Sequence, residues 1–553
     1  MNPLLMTDSY KLSHYSQQTP GTQYIYSNLT PRFDEYFCKE YPNFDHKIVW
    51  FGLQAFIKKT LIEEWNTNFF SKAWEEIKQE LEDVLTPYIG MTNFDHFEAL
   101  YKLGYLPIEI KSLKEGSLVN IGTPVLTITN THPDFQWLTN YLETAMSAEV
   151  WKPTTVATAA REFAHLSRHH AILTTGSVEG TEFQNHDFSY RGHANTESAS
   201  STGAGFLLSS HGTDNIPAIV FAKKYYNAEG FIAGSVPAGE HSTTTLGINA
   251  SNSTDKKEGE TNFFKWLLTD VYPTGIFSYV ADSYDYWGFL EEIVPSLKDI
   301  IMSRDGKWVC RGDSGDVVDV ICGKQIPDYS NEPSLHSALT KYSYDSIENK
   351  LTDVVFKYKD KYYKGSFDAV RINGSLESFI YSGPFEYELT VEDKGTIETL
   401  WDIFGGTITE KGYKLLDSHV GMIYGDGITY GRAKEIFERL EDKGFASTNV
   451  TFGIGSFSLS SGISRDSLGI AVKATNAIVD GKQIPIYKQP KTDSTKNSAK
   501  GLLKVIKNED GSYTTLNNVA VEEEQQGELV SVFKDGKLLR EQTFEEIRNL
   551  IWK

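Results

Sequence analysis

Residues 450–466 read VTFGIGSFSLSSGISRD. A β-branched, apolar run breaks into small residues, and Arg465 follows. Small residues let backbone N–H groups approach a phosphate, and an arginine adds a bidentate cation. The same grammar recurs upstream: a short apolar run, a polar or glycine-rich end, then helix-compatible text. The ends are HDFSYRG (186–192), GTDN (212–215), SVPAGEHS (235–242), YVADSYD (279–285), VCRGDSGD (309–316) and MIYGDG (422–427), with KATN (473–476) as a candidate eighth unit. Seven or eight βα units in series predict a parallel (β/α) barrel, whose site lies at the C-terminal ends of its strands. Taken singly, any of these Asp, Ser or Gly residues also reads as an ordinary cap or turn.

The flanks have a different texture. Residues 61–105 carry apolar side chains at helical spacing, residues 106–130 switch to period two, and helical text returns at 134–172. Past residue 477 come three hairpin signals, VDGK (479–482), EDGS (509–512) and KDGK (534–537), then a capping box from Thr543 to Glu546. These features divide the chain into an N-terminal α+β part (1–175), a barrel (176–475) and a C-terminal part (476–553) that pairs with the first. Residues 324–392 interrupt the barrel, and DVVFKYKDKYYKGSFDAVRING within them predicts a hairpin with a lysine-rich turn.

Composition bounds the function. The 553 residues are 40% hydrophobic and 23% charged, so the chain can bury large cores. A net charge of −21 excludes a broad nucleic-acid interface, though not a small anion held by a local basic cluster. Cys38, Cys310 and Cys322 have neither CxxC spacing nor even number, which fits a reducing, cytoplasmic compartment. No run of about 18 apolar residues is present, and the opening MNPLLMTDSYK has no signal-peptide pattern, so neither membrane insertion nor export is expected.

Several strand ends carry chemistry. Asp282, Asp313 and Asp426 are convergent carboxylates of the kind that hold ribose hydroxyls or Mg²⁺. His186-Asp187-Phe188 with Tyr190-Arg191 sets an aromatic plane beside a cation, which suits a flat heterocycle near an anion. His165 and His169 have helical metal spacing but lack a third ligand, and there is no P-loop and no GxSxG elbow.

Together these motifs resemble the nicotinamide phosphoribosyltransferases. LLMTDSYKLSHY, LPIEIKSLKEG, NTHPDFQWLTNYLET, HDFSYRG, GTDN, SVPAGEHST, DSYD, GDG and FGIGS…SRD occur in that family's order, from residue 3 to the C-terminus, with 324–392 as the main exception. The resemblance implies a type II phosphoribosyltransferase fold and a homodimer with shared active sites. It implies that nicotinamide lies between Phe188 and Tyr10 of the other subunit, with Asp8 beside Tyr10. Arg191 and Arg311 would position phosphoribosyl pyrophosphate and the ring. Asp313 would hold ribose hydroxyls, and Asp282 would lie by the Mg²⁺–pyrophosphate, with either carboxylate able to act on the metal through water. Gly425, Asp426, Gly455, Ser456 and Arg465 would receive the 5′-phosphate and ribose. Ser235 and Ser278 would line the ring pocket, and Asp214 would accept the carboxamide N–H of nicotinamide. His241 matches a histidine phosphorylated from ATP, and Lys488 and Lys496 match basic residues near the ATP phosphates. The chain departs from the family pattern at Ser189, Gly239 and Gly312, and its phosphate loop is one residue longer. A nicotinate phosphoribosyltransferase, a barrel hydrolase or aldolase (for which Lys473 is the one run-end amine and no clear carboxylate pair stands out), and a non-catalytic binding protein on the same fold are the competing readings.

Overall fold

The short apolar runs with glycine-rich ends build a parallel sheet. In the computed structural model, which describes residues 1–552 apart from 252, 346–352, 373–374 and 488–498, this sheet has six strands. Their order is Gly212–Thr213, Asn185–Asp187, Val450–Ile454, Val420–Tyr424, Asp305–Gly312 and Thr274–Val280. Ile423 registers with Arg311 on one side and Thr451 on the other, and Ile454 lies opposite Asp187. The successive strand ends therefore fall on one rim.

Segment 234–239 joins the two edges of the sheet. Gly234 bridges to Gly212 and Ala238 to Ser278, through Thr213 N–H to the Gly234 carbonyl (3.1 Å) and Ser278 N–H to the Pro237 carbonyl (2.8 Å). Pro237 has no N–H and cannot extend a ladder. SVPAGEHS thus contributes one bridge and the preceding Gly234 the other, and the irregular (β/α) barrel expected from the run ends closes on seven members.

KATN is not an eighth. Ala471–Val479 pairs antiparallel with Thr22–Thr30. Asp480 and Gly481 follow at φ 47° and 71°, the mirror-image turn that sends a strand straight back, and Lys482–Pro485 returns alongside. A hairpin stands where a βα unit needs a helix. Lys473 is accordingly on the wrong sheet to be a barrel amine, which removes the aldolase reading.

That second sheet is antiparallel, in the order Lys482–Pro485, Ala471–Val479, Thr22–Thr30, Leu126–Asn130, Ile108–Ser112, Val530–Lys534 and Lys537–Leu538. N- and C-terminal segments share it as one α+β layer. The closing helix Phe544–Ile551 is started by the Thr543–Glu546 capping box. A 33-residue helix, Glu143–Thr175, lies between the two sheets, almost wholly buried along Thr154–Leu166. Helix Thr196–Phe206 closes on it because Gly205 has no side chain: a Cβ there would stand 2.7 Å from the Pro153 carbonyl.

The interruption of the barrel is a small unit of helix Leu335–Asp345 and strands Asp353–Tyr358, Lys361–Ile372 and Ser375–Tyr387. Ala338, Leu339, Val354, Phe356 and Phe367 give it its own apolar centre. The hairpin with the lysine-rich turn is there, extended by a third strand. Among the described residues no helix is long and apolar enough to cross a membrane.

Candidate active site

Phe188 sits where strand Asn185–Asp187 runs out. Its N–H continues the ladder to the Ile454 carbonyl at 3.0 Å. Its ring rests on two bare backbones: a Cβ on Gly453 would stand 2.2 Å from the ring, and one on Gly425 2.7 Å. Glycine at the ends of two neighbouring strands is what admits an aromatic platform. The Arg311 guanidinium lies over the ring, 5.5 Å from its centroid, and His186 meets it edge-on at 5.7 Å. Beneath, buried Asp187 accepts the Ser189 N–H (2.8 Å), the Ser189 hydroxyl (2.6 Å) and the Asn215 amide (3.1 Å). Burial raises its pKa, and these donors oppose the rise.

One side of the platform is acidic. Arg311 forks into Asp313, with Nε to Oδ1 at 3.1 Å and Nη2 to Oδ2 at 2.7 Å. The Asp313 N–H and the Ser314 hydroxyl both donate to Asp282 Oδ2, at 3.0 and 2.6 Å. The other oxygen of Asp282 is buried without a hydrogen-bond partner, and His241 Nε2 stands 3.6 Å from it. His241 Nδ1 meets the Ser283 hydroxyl at 3.1 Å. Burial pushes up the Tyr424 phenol, and the surrounding charges of Asp313, Asp426, Asp282 and Asp316 push it further.

On the opposite side Asp214 follows the shortest strand. Its N–H donates to the Asp187 carbonyl at 3.0 Å. Its carboxylate accepts the Ser235 hydroxyl at 2.6 Å and lies 3.8 Å from His186 Nδ1. Burial lowers the pKa of His186 against the opposing pull of Asp214, which keeps the imidazole neutral. Two buried polar atoms here have no partner, His186 Nδ1 and the Ser278 hydroxyl. A flat ring with a polar substituent would find a face, an acceptor and one free hydroxyl, that of Ser278, at this rim.

The sequence profile of the nicotinate phosphoribosyltransferase family matches residues 183–537, and that of the nicotinamide phosphoribosyltransferase N-terminal domain matches residues 2–110. The nicotinamide phosphoribosyltransferase of Acinetobacter baylyi is 39% identical, over 99% of this chain and 96% of its own. The chain belongs to the nicotinamide phosphoribosyltransferase family. Another member, from Mycoplasma pneumoniae, is 31% identical over 90% of this chain and 94% of its own. The solved human nicotinic acid phosphoribosyltransferase shares the fold alone, with a TM-score of 0.50 and 15% identity over 99% of this chain and 93% of that one.

The remaining residues singled out by the family resemblance are distributed unevenly. Gly455 and Ser456 follow strand Val450–Ile454, and the space above Gly455 is open. Ser456 lies against Gly192, where a Cβ would come within 2.1 Å of its Cβ, so the 189–193 and 455–460 loops form one surface. Arg191 and Asp426 are exposed on the rim. Arg465 is exposed beside Asp466. Tyr10 and Asp8 belong to another quarter of the chain: Tyr10 is 55% exposed, with His14 and the Lys11 ammonium against its ring. Asp8 accepts the Thr144 hydroxyl at 2.8 Å. Lys488 and Lys496 lie outside the described residues.

Sequence reasoning missed three features of this family member. Gly453 is as much a part of the Phe188 seat as Gly425. Lys473 lowers its pKa through burial and the neighbouring charges of Arg32, Lys11 and Arg465, against Glu143. These four cations gather near Glu143, which pairs with Lys11, and they come from separate parts of the chain that do not read as a motif. Lys152 reaches Ser460 of the 455–460 loop. A divalent cation fits the acidic side: Asp282 offers an unpaired buried oxygen, whereas both oxygens of Asp313 are held by Arg311.

Proposed function

We propose that this chain is a pentosyltransferase that joins nicotinamide to 5-phosphoribosyl 1-pyrophosphate, giving nicotinamide mononucleotide and pyrophosphate for NAD salvage. The observation that carries this is Asp214, 47% exposed and fixed by Ser235, on the rim that presents Phe188. A carboxylate there accepts a carboxamide N–H and repels the carboxylate of nicotinate. The family relatives' names support the same substrate.

The C1–oxygen bond of the ribose breaks, and pyrophosphate leaves with the electron pair. The lone pair of the pyridine nitrogen forms the new bond to C1. The nucleophile is neutral and needs no protein base, so the chain's task is alignment and charge stabilisation. Phe188 and Arg311 present the ring, and Asp313, oriented by Arg311, addresses the ribose hydroxyls. Gly455 and Ser456 offer backbone N–H groups to the 5′-phosphate. Mg²⁺, when bound, neutralises pyrophosphate charge. Asp282 would hold it directly and Asp313 through water. His241 is the group we assign to accept a phosphoryl from ATP on Nε2, ADP leaving, with the Ser283 hydroxyl orienting the ring through Nδ1 at 3.1 Å.

The enzyme works as a cytoplasmic homodimer in this reading. The exposed ring of Tyr10 supports it, because a second subunit gives that ring a route to Phe188. The test is product formation from phosphoribosyl pyrophosphate and Mg²⁺ with nicotinamide and nicotinate in parallel, with and without ATP. Mononucleotide from nicotinamide alone is the expected result. Product mainly from nicotinate would overturn the substrate assignment, and product from neither would overturn the activity.

A further inference from the structure

We infer that the Lys152 ammonium, with the Ser460 hydroxyl, anchors the phosphate monoester of the phosphoribosyl substrate. The inference rests on the function proposed above.

Lys152 belongs to the buried Glu143–Thr175 helix and is itself half-buried. Its Nζ lies 2.9 Å from the Ser460 hydroxyl, 3.3 Å from the Ser198 hydroxyl and 3.2 Å from His193 Nδ1. Every one of these partners is neutral. Glu149, one turn earlier on the same helix, and Glu197, next to Ser198, both turn instead to Lys59. Among the described residues this half-buried cation has no counter-ion, its neighbouring carboxylates being engaged elsewhere.

A relay holds the ammonium in place. Lys152 donates to His193 Nδ1. The imidazole is kept neutral by burial and by Lys152 itself, so its Nε2–H is left to donate to the Ser189 hydroxyl at 2.9 Å. Ser189 in turn donates to buried Asp187 at 2.6 Å. Each group has one consistent direction of donation, ending on the only anion in the series. Ser189 is a position where this chain departs from the family pattern, and its hydroxyl is the middle link.

The location fits phosphate. Ser460 is within about one helical turn of Gly455 and Ser456, and the space above Gly455 is open. Since the Ser460 oxygen accepts from Lys152, its proton is free to point away, toward an incoming oxygen. The Ser198 contact is the longest of the three, so that N–H is the one a phosphate oxygen takes over. A dianion there gains two charge-assisted or polarised donors.

The test compares wild type with Lys152→Met and Lys152→Arg in steady-state kinetics, with orthophosphate as a competitor. Lys152→Met is expected to raise the KM for phosphoribosyl pyrophosphate and the inhibition constant of orthophosphate roughly ten- to a hundredfold. The KM for nicotinamide should stay near wild type, and Lys152→Arg should recover most of the loss. Unchanged phosphoribosyl and orthophosphate constants, or an equal rise in both substrates' KM values, would overturn the inference. A second arm needs no turnover: orthophosphate should raise the melting temperature of wild type and of Lys152→Arg, but not of Lys152→Met. Loss of protection by pyrophosphate with retention of protection by orthophosphate would place Lys152 at the wrong end of the substrate. If the wild type forms no product, the proposed function fails, while this protection assay still decides whether Lys152 binds phosphate.

Discussion

Replacing Asp214 by Asn changes one charge and almost no volume. Asn can still take the Ser235 hydroxyl on its carbonyl oxygen, so the contact seen at 2.6 Å survives in kind. What goes is the repulsion felt by an acidic ring substituent. Two charges about 4 Å apart interact by about 4 kcal/mol near a protein surface and about 1 kcal/mol in bulk water. Asp214 is 47% exposed, so its effect on a bound carboxylate falls between these limits, about 1–3 kcal/mol. That corresponds to roughly a five- to hundredfold change in the ratio of kcat/KM for nicotinamide over nicotinate. The assay is competition of the two pyridines for limiting phosphoribosyl pyrophosphate. The Asn variant should narrow the preference, chiefly by accepting nicotinate better. The same ratio in variant and wild type would refute the electrostatic reasoning, because charge is the property that differs.

Gly453→Ala puts a methyl 2.2 Å from the Phe188 ring; the ring must tilt, and kcat/KM for nicotinamide should fall at least about tenfold with the fold retained, whereas wild-type kinetics would show that the ring does not need its seat. His241→Ala should abolish any stimulation by ATP of phosphoribosyl pyrophosphate use, measured as KM with and without ATP; stimulation equal to wild type would exclude His241 as the acceptor. Burial lifts the Glu260 carboxyl from 4.5 to about 7, and the Tyr279 hydroxyl donates to it at 3.0 Å. The folded chain keeps this proton up to about pH 7 while the unfolded chain releases it near 4.5. The stability contributed by the neutral acid is therefore complete below that value and falls by about 3 kcal/mol as pH rises toward 7. Glu260→Gln should flatten this part of the pH–stability profile, seen by urea midpoints at about pH 5 and about pH 7.5; an unchanged slope would assign it to other groups.

Much of the scaffold is legible in the text because its signals are local. Asp480-Gly481 and Asp535-Gly536 adopt the positive φ angles that their dipeptides announce, and Thr543 and Glu546 cap the helix that the sequence places after them. The strand ends at Phe188, Asp214, Asp282, Asp313 and Asp426 are visible because each closes a short apolar run. KATN misleads since a strand looks alike in either sheet, and only the turn after it distinguishes them. The basic cluster of Lys11, Arg32, Arg465 and Lys473 and the series from Lys152 to Asp187 are invisible for another reason. In each, local neighbours such as Asp187, Ser189 and His193, or Arg465 and Lys473, are joined by packing to a residue tens to hundreds of positions away, which no short-range periodicity encodes. Gly453 reads as an ordinary strand residue until the aromatic ring against it is seen.

The antiparallel sheet also sets a timetable for biosynthesis. Thr22–Thr30 is an interior strand whose one neighbour, Leu126–Asn130, is made early and whose other, Ala471–Val479, is made far later. Tyr26 faces Asn476, about 450 residues later, which at roughly 5–20 residues per second leaves an unsatisfied edge for about 20 to 90 seconds. During that interval the nascent chain exposes a β-rich border that invites wrong partners. Completion of the barrel's companion layer therefore waits on a strand made long after its first, and truncation before residue 471 would strand the first-made segment without that neighbour.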